Sequence, residues 1–197
     1  MSERFGILGG TFDPPHNGHL HIALMARKAL DLDEVILVPA ARNPLKRTAT
    51  LASPKQRLEM CRLAVQNEDG LSVSDIEITR GSPSYAIETL EELQQVRPAA
   101  YWFLMGSDTL RTLPEWHQSE RIGKFARIAA YEREGARLDE AIRALPAEYH
   151  ALVDVVPGPT LSISSSKIRE SVQSGMAFEH WLPADVAPYI KRSNLYR

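Results

Sequence analysis

Short apolar runs alternate with longer amphipathic runs along this chain of 197 residues. The apolar runs have the length of buried strands and predict strands at residues 5–8, 34–38, 101–105, 125–131 and 151–156. A turn at Asp69-Gly70 leads into Leu-Ser-Val-Ser at 71–74, and Ile76 and Ile78 then alternate with polar residues, which predicts a short, half-exposed strand there. The run at 101–105, Tyr-Trp-Phe-Leu-Met, is the most strongly apolar of the set and therefore a candidate for the centre of a sheet.

The longer runs between the strands are rich in helix-forming residues and contain little proline. One helix is predicted from Ser53, a good N-cap followed by proline at the first helical position, to about residue 66. At 86–96 apolar residues recur every third position, which predicts an amphipathic helix. Further helices are predicted at 20–30, 138–145, 167–172 and 186–191.

This alternation predicts an α/β fold, a Rossmann-like, doubly wound and mostly parallel sheet with helices on both faces. No repeat or low-complexity linker divides the chain, so residues 1–197 are predicted to form one domain, with a small helical part from about residue 164. In such sheets ligands bind at the carboxyl ends of the strands. The stretches 9–19, 106–108 and 161–169 each follow a predicted strand, so we expect them to meet at that edge.

The stretch 9–19 reads Gly-Gly-Thr-Phe-Asp-Pro-Pro-His-Asn-Gly-His, between the first strand and the first helix. Two glycines at a strand end let the backbone approach a ligand closely. The helix N-terminus points N–H groups and a partial positive charge at the same place. His16 and His19 are three residues apart, so they share one face of the helix start, where both can donate to phosphate oxygens. The stretch therefore predicts a phosphate site.

Two other interpretations of these histidines have to be weighed. Each could be a capping or packing residue, or the two could form a metal pair. Metal-binding histidine pairs on helices usually lie four residues apart with an acidic neighbour. Here the spacing is three, not four, so the pattern does not predict a metal site.

A second candidate anion site is the stretch 161–169, Leu-Ser-Ile-Ser-Ser-Ser-Lys-Ile-Arg. Serines before an apolar helix are N-cap candidates, and their hydroxyls and the free N–H groups of the helix can equally hold an anion. Arg169 lies one turn into the helix, where its guanidinium could add a bidentate contact to the same phosphate. The alternative is a capped helix with a surface arginine.

Composition narrows the class of function. A net charge of −2 and a pI of about 6.3 give no support to sequence-independent nucleic-acid binding. The single cysteine, Cys61, excludes an internal disulfide, suits a reducing compartment and is expected to be a packed thiol. No apolar run approaches the ~18 residues of a membrane span. The first strand begins at about Phe5, which leaves no room for a signal peptide, so a cytoplasmic protein is expected.

The two motifs together resemble those of the nucleotidyltransferase superfamily that shares a catalytic core with class I aminoacyl-tRNA synthetases. Residues 161–169 resemble its Ser-Ser-Thr-x-x-Arg motif, with Ser166 where threonine is usual. Over nearly the whole chain the sequence is similar to bacterial nicotinate-nucleotide adenylyltransferases, through segments 84–90, 106–108, 113–116 and the tail 189–197. Two positions depart from that family: Ala86 replaces a usual threonine, and Leu45 precedes Lys46 where histidine is common.

The resemblance implies transfer of the adenylyl group of ATP to nicotinate mononucleotide. The products would be nicotinate adenine dinucleotide and pyrophosphate, a step of NAD biosynthesis, with Mg²⁺ brought in by ATP. By resemblance, His19 would donate to the α-phosphate, while His16, Ser165 and Arg169 would hold the leaving phosphates. The ATP contacts that it implies come from Gly9, Gly10, Thr11, Phe12, Gly106, Asp108, Ile163, Ser164 and Ser165.

Asp108 would accept the ribose hydroxyls, and Thr11 and Phe12 would offer backbone contacts and cover the nucleotide. For nicotinate mononucleotide the resemblance implies contacts from Lys46, Tyr85, Ala86 and Trp116, with Trp116 stacking on the ring. Core packing is the other interpretation for the two aromatic side chains.

Three competing functions come from other classes. Another adenylyl or cytidylyl transfer, for example to phosphopantetheine, would use the same phosphate motifs. A non-catalytic nucleotide-binding module would not need the donors His16, His19, Lys46 and Arg169 arranged along a triphosphate. A dinucleotide-dependent oxidoreductase is disfavoured because the first turn lacks Gly-x-Gly-x-x-Gly. The expected partners are therefore small molecules, with neither nucleic acid nor membrane, and a homo-oligomer is left open.

Overall fold

The computed structural model describes residues 2–42, 50–81 and 83–197. Within these ranges, six strands form a single sheet in the order β3-β2-β1-β4-β5-β6, and each neighbouring pair is parallel. The strands are β1 Arg4–Gly10, β2 Glu34–Pro39, β3 Leu71–Val73, β4 Ala100–Gly106, β5 Ala126–Tyr131 and β6 Val153–Val156. The chain winds outward in both directions from β1 and β4, so the loops after these two strands diverge and leave a crevice between them.

The helices lie mostly where the sequence predicts them. They are α1 Asn17–Ala29, α2 Pro54–Val65, α3 Ile76–Arg80, α4 Ala86–Val96, α5 Ser107–Leu110, α6 Leu138–Ala144, α7 Ala147–His150, α8 Ser165–Gln173 and α9 Val186–Arg192. Short 3₁₀ turns occur at Leu113–Glu115, Ser119–Lys124 and Glu179–Trp181. The predicted start of α2 is confirmed, because the Ser53 side chain accepts the Gln56 N–H at 3.3 Å and Pro54 follows it.

Each face of the sheet is covered by its own hydrophobic cluster. Alternate strand residues point to opposite faces, so Val35 and Leu37 lie in one cluster while Ile36 and Val38 lie in the other. The first cluster is completed by α1, α2, α8 and α9, and the second by α4, α5, α6 and α7. The predicted doubly wound sheet with helices on both faces is therefore confirmed. Cys61 is buried in the first cluster, as expected of a packed thiol.

The strand predicted at Ile76 and Ile78 is wrong, because these residues lie in α3. Helix α3 ends at Gly81, whose φ of +73° is the left-handed conformation that glycine adopts readily. The residue between the two isoleucines, Glu77, is only 6% exposed, whereas both isoleucines are half-buried. The polar position therefore faces inward, which is the reverse of the alternation that a half-exposed strand would show.

The helices after residue 164 pack into the first cluster through Ile168 and Ile190. The division of the chain into one domain with a smaller helical part stays a prediction. None of the described helices is long and apolar enough to cross a lipid bilayer.

Candidate active site

The two glycines that end β1 are packed against aromatic rings of the protein itself. A Cβ at Gly10 would lie 2.8 Å from Cζ of Phe12, and one at Gly9 would lie 3.2 Å from Cζ of Phe103. Phe12 has φ +50° and is buried, so its ring packs in the interior and its backbone faces the turn. The backbone contact and the cover over the nucleotide that are expected of Phe12 both stay predictions.

The two histidines of this turn are in direct contact. Their rings stack with centroids 3.7 Å apart and planes 26° apart, at the start of α1. The His16 N–H donates to Nδ1 of His19 at 3.1 Å, so Nδ1 is unprotonated and a neutral His19 carries its proton on Nε2. The Phe12 ring contacts His19 edge-on at 4.9 Å. These contacts fix both the orientation and the tautomer of His19.

His16 is uncharged at neutral pH. Its side chain is only 5% exposed. Burial, with a smaller contribution from the positive charge of Arg133, lowers the pKa of His16 to about 4. Its Nδ1 is buried and has no hydrogen-bond partner among the described residues. At neutral pH His16 therefore adds no positive charge to this turn.

The pKa of His16 makes the folded state sensitive to acid. Below pH 6.5 the unfolded chain takes up a proton that the folded chain does not take up until about pH 4, so stability is lost over that interval. We expect the free energy of unfolding to fall by about 2 kcal/mol more between pH 7 and pH 5 in the wild type than in His16→Gln. Urea unfolding at both pH values measures this difference, and equal pH dependence in the two proteins would contradict it.

The stretch 161–169 lies directly against the loop after β1. Ser165 Oγ donates to the carbonyl of Pro14 at 2.8 Å, and Arg169 Nη1 donates to the carbonyl of Asp13 at 2.8 Å. Ser164 caps α8 by accepting the Lys167 N–H at 3.2 Å. The structure thus brings the two motifs together, and the N-cap interpretation also holds for Ser164.

Ile163 and Ser166 also contribute to the packing of the stretch 161–169 beside the loop after β1. Ile163 Cβ lies 3.7 Å from the place where a Cβ on Gly18 would be, so the two stretches pack closely. Ser166 Oγ accepts from Arg169 Nη2 at 3.1 Å, so the hydroxyl kept at this position helps to orient the arginine. The hydrogen bonds from Arg169 to the Asp13 carbonyl and to Ser166 Oγ use two of the five N–H groups of the guanidinium.

The carboxylate of Asp108 lies at the carboxyl end of β4, in the first turn of α5. A Cβ at Gly106 would lie 2.6 Å from Asp108 Oδ1, so glycine is needed for the carboxylate to turn back over the strand end. Asp108 Oδ2 accepts from Arg133 Nη1 at 3.0 Å. The positive charge of Arg133 also contributes to the lowered pKa of His16.

The three described residues that are predicted to bind the acceptor lie beside the second hydrophobic cluster. Trp116 contacts the ring of Phe103 edge-on at 5.8 Å, and Phe103 also lies against Gly9. The Tyr85 ring lies 4.5 Å from that of His117, beside Trp116. Ala86 begins α4 and packs against the same cluster as Trp116. Tyr85 and Trp116 are both half-buried, whereas Lys46 lies outside the described residues.

The backbone that leads into α4 is fixed by hydrogen bonds to the segment after β2. The Ser84 N–H donates to the carbonyl of Arg42 at 2.9 Å, and the Ala41 N–H donates to Ser84 Oγ at 2.9 Å. Beneath it, Thr89 Oγ1 donates to the buried carboxylate of Glu77 at 2.6 Å. Burial raises the pKa of Glu77, and the hydrogen bonds from Ser84 and Thr89 oppose that rise. The start of α4 is therefore held before any ligand arrives.

Sequence reasoning missed two arginines of this region. Arg57 is 1% exposed and donates to the carbonyls of Thr11 and Ala40, each at 2.6 Å. Burial lowers the pKa of its guanidinium. Arg133 could have been found from its place two residues after the end of β5. No local pattern marks Arg57, because its partners lie in loops that follow two other strands.

Comparison with known proteins gives one consistent result. A family model described as cytidylyltransferase-like matches residues 7–171. A probable nicotinate-nucleotide adenylyltransferase of Dehalococcoides mccartyi is 40% identical over 201 residues, covering 100% of this chain and 98% of the relative. One of the same name from Roseiflexus sp. is 41% identical over 199 residues, covering 100% and 99%.

Similarity to solved structures extends over the whole fold. The nicotinic acid mononucleotide adenylyltransferase of Plasmodium falciparum, complexed with APC, matches with a TM-score of 0.79. The match covers 98% of this chain and 97% of that one at 19% identity, so it shows a shared fold. The sequence relatives are close enough to show more than the fold. This chain belongs to the cytidylyltransferase-like family and, within it, to the nicotinate-nucleotide adenylyltransferases.

Proposed function

We propose that this enzyme transfers the adenylyl group of ATP to nicotinate mononucleotide, giving nicotinate adenine dinucleotide and pyrophosphate. The single observation that carries the proposal is the joining of the two phosphate motifs. Ser165 and Arg169 donate to the carbonyls of Pro14 and Asp13, next to the stacked pair His16 and His19. Donors from both motifs therefore face one place at the carboxyl edge of the sheet, as a triphosphate requires.

The chemistry needs positioning more than proton transfer. The attacking group is a phosphate monoester, whose second pKa is about 6, so it is mostly ionised at neutral pH and no general base is required. The barrier lies in bringing two polyanions together and in spreading charge as pyrophosphate leaves. Fixed donors around the reacting phosphates lower this barrier because they need no reorganisation during the reaction.

Each donor in the turn has a role that its geometry supports. His19, with its proton on Nε2, donates to the α-phosphate where negative charge develops. The imidazole of His16 is neutral, so it offers a leaving phosphate a hydrogen bond without adding a full positive charge. Arg169 keeps N–H groups for the β- and γ-phosphates beyond those that hold Asp13 and Ser166. The backbone at 9–12 approaches the nucleotide, and Asp108 accepts from its ribose.

The acceptor binds between the start of α4 and Trp116. Backbone N–H groups near Tyr85 and Ala86 hold the nicotinate carboxylate, since the first N–H groups of a helix have no partner within it. The indole of Trp116, held by the ring of Phe103, stacks on the pyridine. Lys46, which lies outside the described residues, contacts a phosphate.

Mg²⁺ is the divalent cation that ATP would bring, and it would offset part of the triphosphate charge. The carboxylates of the site are already engaged, because Asp13 accepts from Leu51, Ala52 and Tyr196, and Asp108 accepts from Arg133. No group of three His, Cys, Asp or Glu side chains suited to a metal occurs within the described ranges. This donor set suits an ion held mainly by phosphates and water.

The proposal is tested by incubating the enzyme with ATP and each of several acceptors. We expect pyrophosphate release and a dinucleotide product, identified by mass, with nicotinate mononucleotide. Phosphopantetheine is the matched alternative acceptor. Turnover with phosphopantetheine and none with nicotinate mononucleotide would replace this proposal with the other adenylyl transfer.

Arg169→Lys is expected to lower kcat/KM for ATP on the order of tenfold, because an ammonium cannot hold Asp13 and a phosphate with the same planar fork. Steady-state kinetics measure the effect. Arg143→Lys, on α6, is the control and should leave kcat/KM unchanged. Full activity in Arg169→Lys would show that the fork is not needed.

A further inference from the structure

The segment after α9 returns to the loop after β1. Tyr196 is 5% exposed, and its hydroxyl donates to Oδ1 of Asp13 at 2.7 Å. Its backbone has φ +63°, a conformation that favours glycine, so the contacts of this side chain hold the residue in an unfavourable region. Its ring belongs to the first hydrophobic cluster, with the hydroxyl 3.9 Å from Sδ of Met60.

Asp13 joins three segments of the chain through its side chain. Oδ1 also accepts the Ala52 N–H at 3.1 Å, and Oδ2 accepts the Leu51 N–H at 2.9 Å. Asp13 is only 5% exposed, so its carboxylate makes these contacts away from bulk water. Burial and the charge of Asp13 raise the pKa of Tyr196 above its usual range, which keeps the hydroxyl a donor.

The backbone of the same residue holds the second phosphate motif. The carbonyl of Asp13 accepts from Arg169, and the next carbonyl, of Pro14, accepts from Ser165. His16 follows two residues later. A displacement of the Asp13 side chain would therefore move the groups that place the arginine, the serine and the histidines around the triphosphate.

We propose that Tyr196 is a positioning residue for adenylyl transfer, acting through Asp13 to hold the loop at 11–16 in its reactive geometry. The inference rests on the proposed function. Tyr196 does not contact the substrates in this role; it sets where Arg169 and His16 lie relative to the α-phosphate. Small misplacements of such groups lower the rate of the chemical step more than they lower binding.

The test compares two buried tyrosines that each lose only a hydroxyl. Tyr101 is the matched control, since it is 2% exposed, lies in β4 in the second cluster, and donates to the carbonyl of Arg97 at 2.5 Å. We expect Tyr196→Phe to lower kcat by ~10-fold, with KM for ATP within about threefold of wild type. Tyr101→Phe should keep the wild-type kcat. Both are assayed below their measured Tm.

A structural role alone predicts a different result, in which Tyr196→Phe has a lower Tm and an unchanged kcat. That result would overturn the inference. Asp13→Asn gives a second readout. The asparagine amide has N–H donors of its own, which oppose the backbone N–H groups that donate to the carboxylate in the wild type. If Tyr196 acts through Asp13, the double variant has a kcat within about twofold of Asp13→Asn. Losses that multiply independently would contradict the coupling.

The proposed function and the positioning role of Tyr196 can be contradicted separately. A wild-type enzyme that forms no dinucleotide from ATP and nicotinate mononucleotide overturns the proposed function and the inference with it. An active wild type beside a fully active Tyr196→Phe overturns the inference alone. If Asp13→Asn does not fold, the comparison of Tyr196→Phe with Tyr101→Phe still decides.

Discussion

Replacing His19 by alanine is expected to lower kcat by ~10²-fold or more, the usual cost of losing one donor that acts on developing charge. The His16 N–H bond to Nδ1 leaves Nε2 as the donating atom, and the stacked His16 ring and the edge of Phe12 fix its direction. Alanine removes this donor and puts nothing in its place. The folded structure should persist, because His19 is only half-buried and alanine is a good helix former in the first turn of α1.

Steady-state kcat, together with circular dichroism and Tm, measures this effect. His150→Ala on α7 is the control, since that ring contacts only the carbonyl of Leu145 among the hydrogen bonds described for it. His19→Asn keeps a side-chain N–H and should recover part of the rate. Near-normal turnover of His19→Ala, or its failure to fold, would refute the role assigned to this histidine.

The second large effect concerns the choice of acceptor. We expect kcat/KM for nicotinate mononucleotide to exceed that for nicotinamide mononucleotide by at least ~10²-fold. A carboxylate accepts hydrogen bonds from successive N–H groups at the start of α4, where the helix dipole favours an anion. A carboxamide is neutral and turns its own NH₂ toward those N–H groups. Buried groups are then left unpaired, which a site of fixed geometry penalises strongly.

The fixed geometry is visible in the structure, because Ser84 joins this backbone to Ala41 and Arg42 through hydrogen bonds of 2.9 Å. Ala86 supplies its N–H as a threonine would, so Ala86→Thr should change the selectivity little. A large change in selectivity would show that the threonine hydroxyl, and not the backbone N–H, makes the contact to the carboxylate. Equal use of the two mononucleotides by the wild type would leave only a general adenylyltransferase.

The parts of the fold that follow from local pattern were predictable. Apolar runs predicted five of the six described strands, although β1 continues through Gly9 and Gly10 and α1 begins at Asn17, three residues before the predicted start. The remaining strand, β3, lies at Leu71–Val73, just before the isoleucines whose alternation predicted a strand. The strand prediction at Ile76 and Ile78 failed because two alternating positions are too few to distinguish a strand from one turn of helix. The short helices α5 and α7 were not predicted, since four residues carry no period.

The two sequence motifs located both stretches that are predicted to bind phosphate, 9–19 and 161–169. The structure shows that these stretches are in contact. The roles of the individual residues stay predictions, as does the cytoplasmic location. The side chains that hold the site together could not be predicted, because their partners are remote in sequence. Arg57 contacts the carbonyl of Thr11 across 46 residues, and Tyr196 contacts Asp13 across 183. No window of local pattern spans such distances.

The long return of Tyr196 to Asp13 has a consequence for synthesis on the ribosome. The turn that is predicted to bind phosphate is made first, yet one of its supports is made 183 residues later. The central pairing of β1 with β4 likewise has to wait for residue 100. Such non-local contacts form slowly because a long loop must close first. A nascent chain therefore carries the stretch 9–19 for most of translation without this support, and if Tyr196 positions the loop as proposed, full activity waits until the late segment has docked.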